Sequence, residues 1–183
     1  MMKKKTAVTT AGIIIGIILM FTFMRFFTVP SGVPNTNLNM GIVIVSVFAV
    51  VFGPLAGLLI GFIGHTLADM TLGWGIWWTW IAAESVYGFI IGLLWKLFEI
   101  EEGRFGVKEA LIFNGVQYVS NSLVWVLIAP TLDIIIYQEP SNKVYVQGLV
   151  ATGLNSAVVL IFGTALIFGY YRIRTAFLNK RRK

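Results

Sequence analysis

The run MGIVIVSVFAVVFGPLAGLLIGFIGHTLADM, residues 40–70, decides the topology of the chain. It is 31 residues long, whereas one tilted membrane span needs about 20 to 25. Gly53-Pro54 punctuates it in the middle; glycine and proline together are a strong break signal. The run therefore predicts two helices, Met40–Phe52 and Leu55–Met70, joined by a tight turn. Upstream, the uninterrupted apolar stretch Ala7 to Phe27 predicts a first helix. It is read as retained, because Thr28-Val29-Pro30-Ser31-Gly32 offers no small-x-small cleavage site after it. Between them, Val29 to Asn39 holds Pro30, Gly32, Pro34 and three asparagines, the pattern of a loop or re-entrant turn. Downstream, Thr71 to Ile76 reads as a turn, Trp77 to Leu97 as a fourth helix and Glu99 to Glu109 as a charged loop. A fifth helix is expected over Ala110–Ala129. Pro130 to Tyr145 follows as a loop whose middle, Asp133 to Tyr137, is apolar enough for an interface. A sixth helix spans Val146 to Tyr171, and a basic tail ends the chain.

Composition agrees with six crossings. Of 183 residues, 57% are hydrophobic and 12% charged, with a mean hydropathy of +0.84; soluble domains carry about 25% charged residues. A water-soluble globular protein is excluded, and the expectation is an all-α integral membrane protein forming one six-helix domain over residues 1–183. Absence of cysteine excludes disulfides, thiolate metal sites and a cysteine nucleophile. Of the 14 lysines and arginines, 12 fall on one side of the six-helix arrangement and only Arg25 and Lys143 on the other. That is the split expected when both termini face the cytoplasm. Fusing the second and third helices would place the two basic ends on opposite faces. Directly beyond a membrane helix, a basic tail reads as an anchor on anionic lipid and not as a nucleic-acid site.

Polar residues within the apolar helices are the candidates for function, because hydrocarbon penalises them unless they face partners or a cavity. Asn114, Gln117, Tyr118, Asn121 and Trp125 share one stripe of the fifth helix. They are read either as a ligand face or as interhelical hydrogen-bonding glue. At the start of the fourth helix stand Trp74, Trp77, Trp78 and Trp80, with Glu84 and Tyr87 deeper. These tryptophans fit an interfacial belt or an aromatic pocket above a carboxylate. His65 and Asp69, four residues apart, read as a structural pair, because a metal site would want a third ligand. Neither a GxSxG nor a GxxxxGK[ST] pattern occurs, so catalysis and ATP binding in this chain lack support. Small residues at Gly12 and Gly16, and at Gly53, Gly57, Gly61, Gly64 and Ala68, predict close helix packing. Ala7 to Ala11 is another small-xxx-small element.

With six helices, both termini inside, a basic tail and an outward polar and aromatic cluster, the chain resembles the S components of energy-coupling factor (ECF) vitamin transporters. More closely, Val33-Pro34-Asn35-Thr36-Asn37, Phe52-Gly53-Pro54-Leu55-Ala56-Gly57 and Gly61-Phe62-Ile63-Gly64-His65 look like an uncharacterised family grouped with riboflavin-transporter-type S components. The resemblance implies a bacterial plasma-membrane location. It also implies that Ala7 and Ala11 match the AxxxA motif that docks on a transmembrane coupling subunit. Two ABC-type ATPases would use the ATP, and no cofactor would reside in this chain. S components share a fold while binding unrelated vitamins, so the resemblance names no ligand contact.

From the residues themselves, the substrate site is expected where the first loop meets the outer ends of helices four, five and six. The candidates are Asn35, Asn37, Trp77, Trp80, Glu84, Tyr118 and Asn121, with Gln117, Trp125, Gln147 and Asn155 behind them. Aromatic faces and amides suit a flat heteroaromatic compound such as hydroxymethylpyrimidine, pyridoxine or riboflavin, while cobalamin would need a wider mouth. Competing classes are a stand-alone secondary transporter, which would usually show repeated halves, a membrane-embedded enzyme using Glu84, His65 and Asp69, and a purely structural subunit.

Overall fold

The computed structural model describes residues 2–73, 75–98, 100 and 103–180, with side chains from residue 6 onward. Trp74, the loop glutamates Glu99, Glu101 and Glu102, and the tail residues Arg181, Arg182 and Lys183 lie outside the described residues. Six helices carry the described chain: α1 Met2–Phe26, α2 Gly41–Phe52, α3 Pro54–Leu72, α4 Trp78–Leu93, α5 Val107–Tyr137 and α6 Ser141–Lys180. Four of them, α1, α3, α5 and α6, are long and apolar enough to cross a membrane. The remaining two are shorter, at 12 residues for α2 and 16 for α4. The chain is an all-α membrane protein with one small addition. A two-stranded antiparallel hairpin pairs β1 Thr28–Pro30 with β2 Asn37–Asn39, with Val29 opposite Leu38.

The break at Gly53-Pro54 falls where the sequence places it. Gly53 has φ +89°, a conformation disfavoured for residues with a Cβ, and donates its N–H to the Ala49 carbonyl at 2.9 Å. Pro54 then occupies the first turn of α3, where its missing N–H costs nothing.

Several boundaries differ from expectation: α1 and α5 start earlier, at Met2 and Val107, and α6 runs on past Tyr171 through the expected tail to Lys180. The fourth helix stops at Leu93 and tightens into a 3-10 turn over Trp95–Phe98, which delivers buried Phe98 edge-on to Phe113, ring centres 5.4 Å apart. Pro130 does not end the fifth helix. Residues Leu123–Ile128 widen into a π-turn, accommodating a proline that cannot donate to the helical ladder, and α5 continues to Tyr137. It closes at Gln138, whose left-handed backbone returns its N–H to the Asp133 carbonyl. The expected 130–145 loop is thus reduced to residues 138–140, and α6 begins at Ser141. A second π-turn, Val159–Gly163, lies within α6.

Named contacts fix the register. Gly12 of α1 faces Phe52 and Gly41 at the start of α2 faces Met20, so those helices run antiparallel. Gly57 lies on Gly88, Gly61 on Glu84 and Gly92 on Pro54, so α3 and α4 also run antiparallel. Asn114 donates to Thr164 Oγ1 at 2.9 Å and Gln117 to the Ser156 carbonyl at 3.2 Å, which pairs α5 against α6. This up-and-down order gathers the ends of α1, α3 and α5, the starts of α2, α4 and α6, and the hairpin at one end of the bundle.

Of the small residues singled out in the sequence, Gly12, Gly16, Gly57, Gly61 and Gly64 lie at its tightest crossings. A Cβ added to Gly57 would collide with the Gly88 backbone, and one added to Gly88 with the Gly57 backbone. Neither obstacle can rotate away. Gly57→Ala is therefore expected to destabilise the fold by about 1–3 kcal/mol through overpacking. Gly153→Ala, where the added carbon meets open space, is expected to be neutral or to stabilise by about 0.5–1 kcal/mol. Thermal unfolding in detergent compares the two directly.

Candidate functional site

A cavity of about 350 Å³ opens at the hairpin end of the bundle. Its aromatic wall is built by Trp77 and Trp80 at the start of α4 and by Trp125 in the π-turn of α5. Trp80 and Trp125 lie 5.0 Å apart, ring centre to ring centre, and Trp77 rests against Tyr137 at 4.6 Å. The tryptophans at the head of the fourth helix thus divide. Trp77 and Trp80 face the cavity, whereas Trp78 is 49% exposed on the outer surface.

Asp133 holds this wall from α5. Its Oδ1 accepts the Trp77 indole N–H at 3.0 Å and the Thr79 hydroxyl; its Oδ2 accepts the Trp80 indole N–H at 2.8 Å. This residue was not among the sequence candidates, because the segment carrying it read as a loop. The available signal was a carboxylate directly before Ile134-Ile135-Ile136, which needs buried partners wherever the segment packs.

The inner wall is acidic. His65 and Asp69 of α3 both line the cavity, and their side chains approach to 3.6 Å. The structural pair read from the sequence is therefore also part of the cavity surface. On its other side, His65 Nδ1 lies 2.6 Å from Glu84 Oε2, off the axis of the ring N–H. Glu84 is wholly buried and lies one contact behind the lining. Its other oxygen accepts the Asn39 side-chain amide at 3.4 Å, while Asn39 Oδ1 takes the Gly41 N–H at 2.8 Å at the head of α2. Asp69 also accepts the Trp77 backbone N–H at 3.0 Å. One row of polar groups thereby links α2, α3 and α4 beneath the cavity.

The hairpin closes one side. Asn35, Asn37 and Asn39 all contribute to the lining, and Asn35 takes a positive φ of 57°, which asparagine tolerates better than most residues. Gln147 of α6 ties the hairpin down by donating to the Pro34 carbonyl at 2.8 Å. At the mouth, Lys143 and Glu139 pair at 2.6 Å.

Of the sequence candidates, Asn35, Asn37, Trp77 and Trp80 meet at the cavity, as do Trp125, Gln147 and Asn155. Glu84 touches the lining residues His65 and Asn39 from behind. Gln117 and Asn121 are buried behind the lining: Asn121 donates to Gln117 Oε1 at 2.9 Å and accepts the Trp125 indole N–H at 3.0 Å. Tyr118 is 57% exposed on the outer face and is not brought to the cavity. One residue past Gln117 on a helix is a turn of about 100°, which carries its side chain off the inward stripe. The polar stripe thus packs mainly within the bundle. Its inner members hydrogen-bond helix to helix and hold Trp125 in the cavity wall. Among the described residues, no group of three His, Cys, Asp or Glu side chains is arranged to hold a metal ion.

A family model described as "ECF-type riboflavin transporter, S component" matches residues 2–172. The chain is 44% identical over 167 residues to a UPF0397 protein of Lacticaseibacillus casei (strain BL23), covering 91% of this chain and 90% of that protein. It is 43% identical over 156 residues to a UPF0397 protein of Streptococcus gordonii, covering 85% and 84%. A UPF0397 protein of Lactobacillus helveticus (strain DPC 4571) is 42% identical over 156 residues, with 85% and 84% covered. No solved structure matches the chain. With a family model spanning nearly its whole length, the chain belongs to the S components of ECF-type transporters, and is a substrate-binding membrane subunit of a vitamin transporter, not an enzyme.

Proposed function

We propose that the chain captures a flat heteroaromatic vitamin or vitamin precursor of the hydroxymethylpyrimidine or pyridoxine type, outside a bacterial plasma membrane. The carrying observation is one cavity that joins three indoles to an acidic inner wall. Four of the chain's eight acidic residues, Asp69, Glu84, Asp133 and Glu139, line this cavity or stand directly behind it. Basic partners there are His65 and Lys143. That balance favours a ligand that is cationic or rich in hydrogen-bond donors and disfavours an anion. Small-molecule sites span about 300–1,000 Å³, and 350 Å³ is at the small end. The size supports a single ring system and argues against a corrinoid; riboflavin is the larger alternative.

In this reading the chain acts as one six-helix membrane domain, with α2 and α4 as short crossings, both termini cytoplasmic and the cavity facing outward. The distribution of lysines and arginines supports that orientation. Transport energy would come from a coupling subunit and two ABC-type ATPases, with no cofactor in this chain. α1 presents two different faces, which fits a docking role. Gly12 and Gly16 are turned inward against α2 and α3, while Ala7 and Ala11 are exposed. Membrane lipid would surround the remaining apolar surface and meet the basic tail; no nucleic acid is involved.

Native mass spectrometry of the detergent-purified protein, exposed to pyrimidine, pyridoxine, flavin and cobalamin compounds, tests the cargo. Retention of a small heteroaromatic compound is expected; selective retention of cobalamin would overturn the assignment. Glu84→Gln, which replaces the buried carboxyl beside His65, is expected to weaken binding of the retained compound by about tenfold or more, equivalent to about 1.4 kcal/mol. Isothermal titration reads this, and unchanged affinity would remove the His65–Glu84 pair from the site. Ala7→Trp or Ala11→Trp is expected to abolish copurification with the coupling subunit while leaving ligand affinity of the isolated protein unchanged.

A further inference from the structure

We infer that Asp133 is the positioning residue that sets how the cavity reads its ligand: it holds Trp77 and Trp80 as stacking faces and removes their N–H groups from ligand recognition. The inference rests on the cavity being the substrate site. Asp133 is 1% exposed, and three donors from the start of α4 converge on its carboxylate. An indole has a single donor and no acceptor. With both N–H groups directed at Asp133, Trp77 and Trp80 present only carbon faces and edges to a ligand. Trp125 is in the same condition, because its N–H is held by Asn121. Three large aromatic walls therefore contribute contact and π-stacking, and none of them contributes an indole hydrogen bond. Polar selection falls to the other lining groups, among them Asp69, His65 and the asparagines of the hairpin.

Backbone geometry explains why Asp133 is suited to this. It stands beyond Pro130, so it reaches the head of α4 only because α5 continues past that proline. Its own carbonyl accepts the N–H groups of Gln138 and Glu139, which close the helix end. The carboxylate is thus mounted on an anchored turn, and the two indoles are oriented by it and not by the ligand. Orienting the wall before binding reduces the side-chain ordering that binding must otherwise impose.

Asp133→Asn tests this with almost no change in volume. One carboxylate oxygen becomes an NH₂ that faces an indole N–H or the Thr79 hydroxyl, so a donor meets a donor. The protein is labelled with 5-fluorotryptophan, and the Trp77 and Trp80 resonances are assigned from Trp77→Phe and Trp80→Phe. In the ligand-free protein, Asp133→Asn is expected to shift or broaden those two fluorine signals and leave Trp78 and Trp95 in place. Affinity for riboflavin, pyridoxine or hydroxymethylpyrimidine, whichever the wild type binds, is expected to fall at least tenfold at a melting temperature within a few degrees of wild type. Asp133→Glu retains the acceptors and is expected to keep more affinity than Asp133→Asn, which guards against a merely unfolded variant. Unmoved Trp77 and Trp80 signals, or wild-type affinity in Asp133→Asn, would overturn the positioning role. Because the fluorine measurement needs no ligand, it stands even if wild type binds none of the three compounds, a result that would instead overturn the substrate reading.

Discussion

Two helices touching backbone to backbone make the rest of this molecule possible. At Gly57 and Gly88 neither α3 nor α4 has a side chain to hold them apart, and Gly61 and Gly92 extend the same contact along both helices. In lipid, where apolar side chains gain little by leaving their solvent, close approach and interhelical hydrogen bonds are what association relies on. The close contact also sets the distance for chemistry. His65 stands one turn beyond Gly61, and Glu84 contributes the carbonyl on which Gly61 rests. The 2.6 Å contact between His65 and Glu84 is therefore made between two backbones already pressed together. Bulkier residues at the crossing would separate a histidine and a glutamate that hydrocarbon would punish for standing apart.

The other half of the bundle supplies what this pair lacks. α3 contributes His65 and Asp69 to the cavity and the head of α4 contributes Trp77 and Trp80, while α5 and α6 add Trp125, Asp133, Lys143 and Gln147. Along the seam between them, Asn114, Gln117 and Asn121 pair with Thr164, the Ser156 carbonyl and one another, ending at the Trp125 indole. Polar groups in the membrane thus form two connected sets, one leading to Glu84 and His65 and one to Trp125. Both end at the same cavity. In a vitamin-transport subunit, this joins part of the cost of burying polar groups to the formation of the binding site, since His65, Asp69 and Asp133 line the cavity and Glu84 and Asn121 contact residues that do.

Much of this was legible in the chain. The break at Gly53-Pro54, the helix order and the inward glycines follow from residue type and spacing. The bundle's least legible part was α5. A proline in an apolar run normally marks an end, which by residue type alone ends the helix early and places Asp133 in a loop. The π-turn that lets the helix continue is a property of the packed structure, where α6 approaches so closely that an added carbon at Gly148 would strike the Trp125 carbonyl. Tyr118 shows the converse. It shares the polar stripe by spacing, yet the seam is narrow enough to admit Gln117 and Asn121 and turn Tyr118 outward.

By itself, the sequence determined that this protein lives in a membrane, that its helices break where glycine and proline require it, and which few polar residues are too costly there to be incidental. These are local matters of hydration, backbone freedom and periodicity, and they need no neighbour. Only the tertiary structure decided which of those residues meet. That Glu84 answers His65, that Asp133 gathers two indoles, and that Gln117 faces inward while Tyr118 does not depend on helix crossings and on the course of α5 past Pro130. Those relations are set by distances between segments far apart in the chain, which no spacing within a single helix encodes.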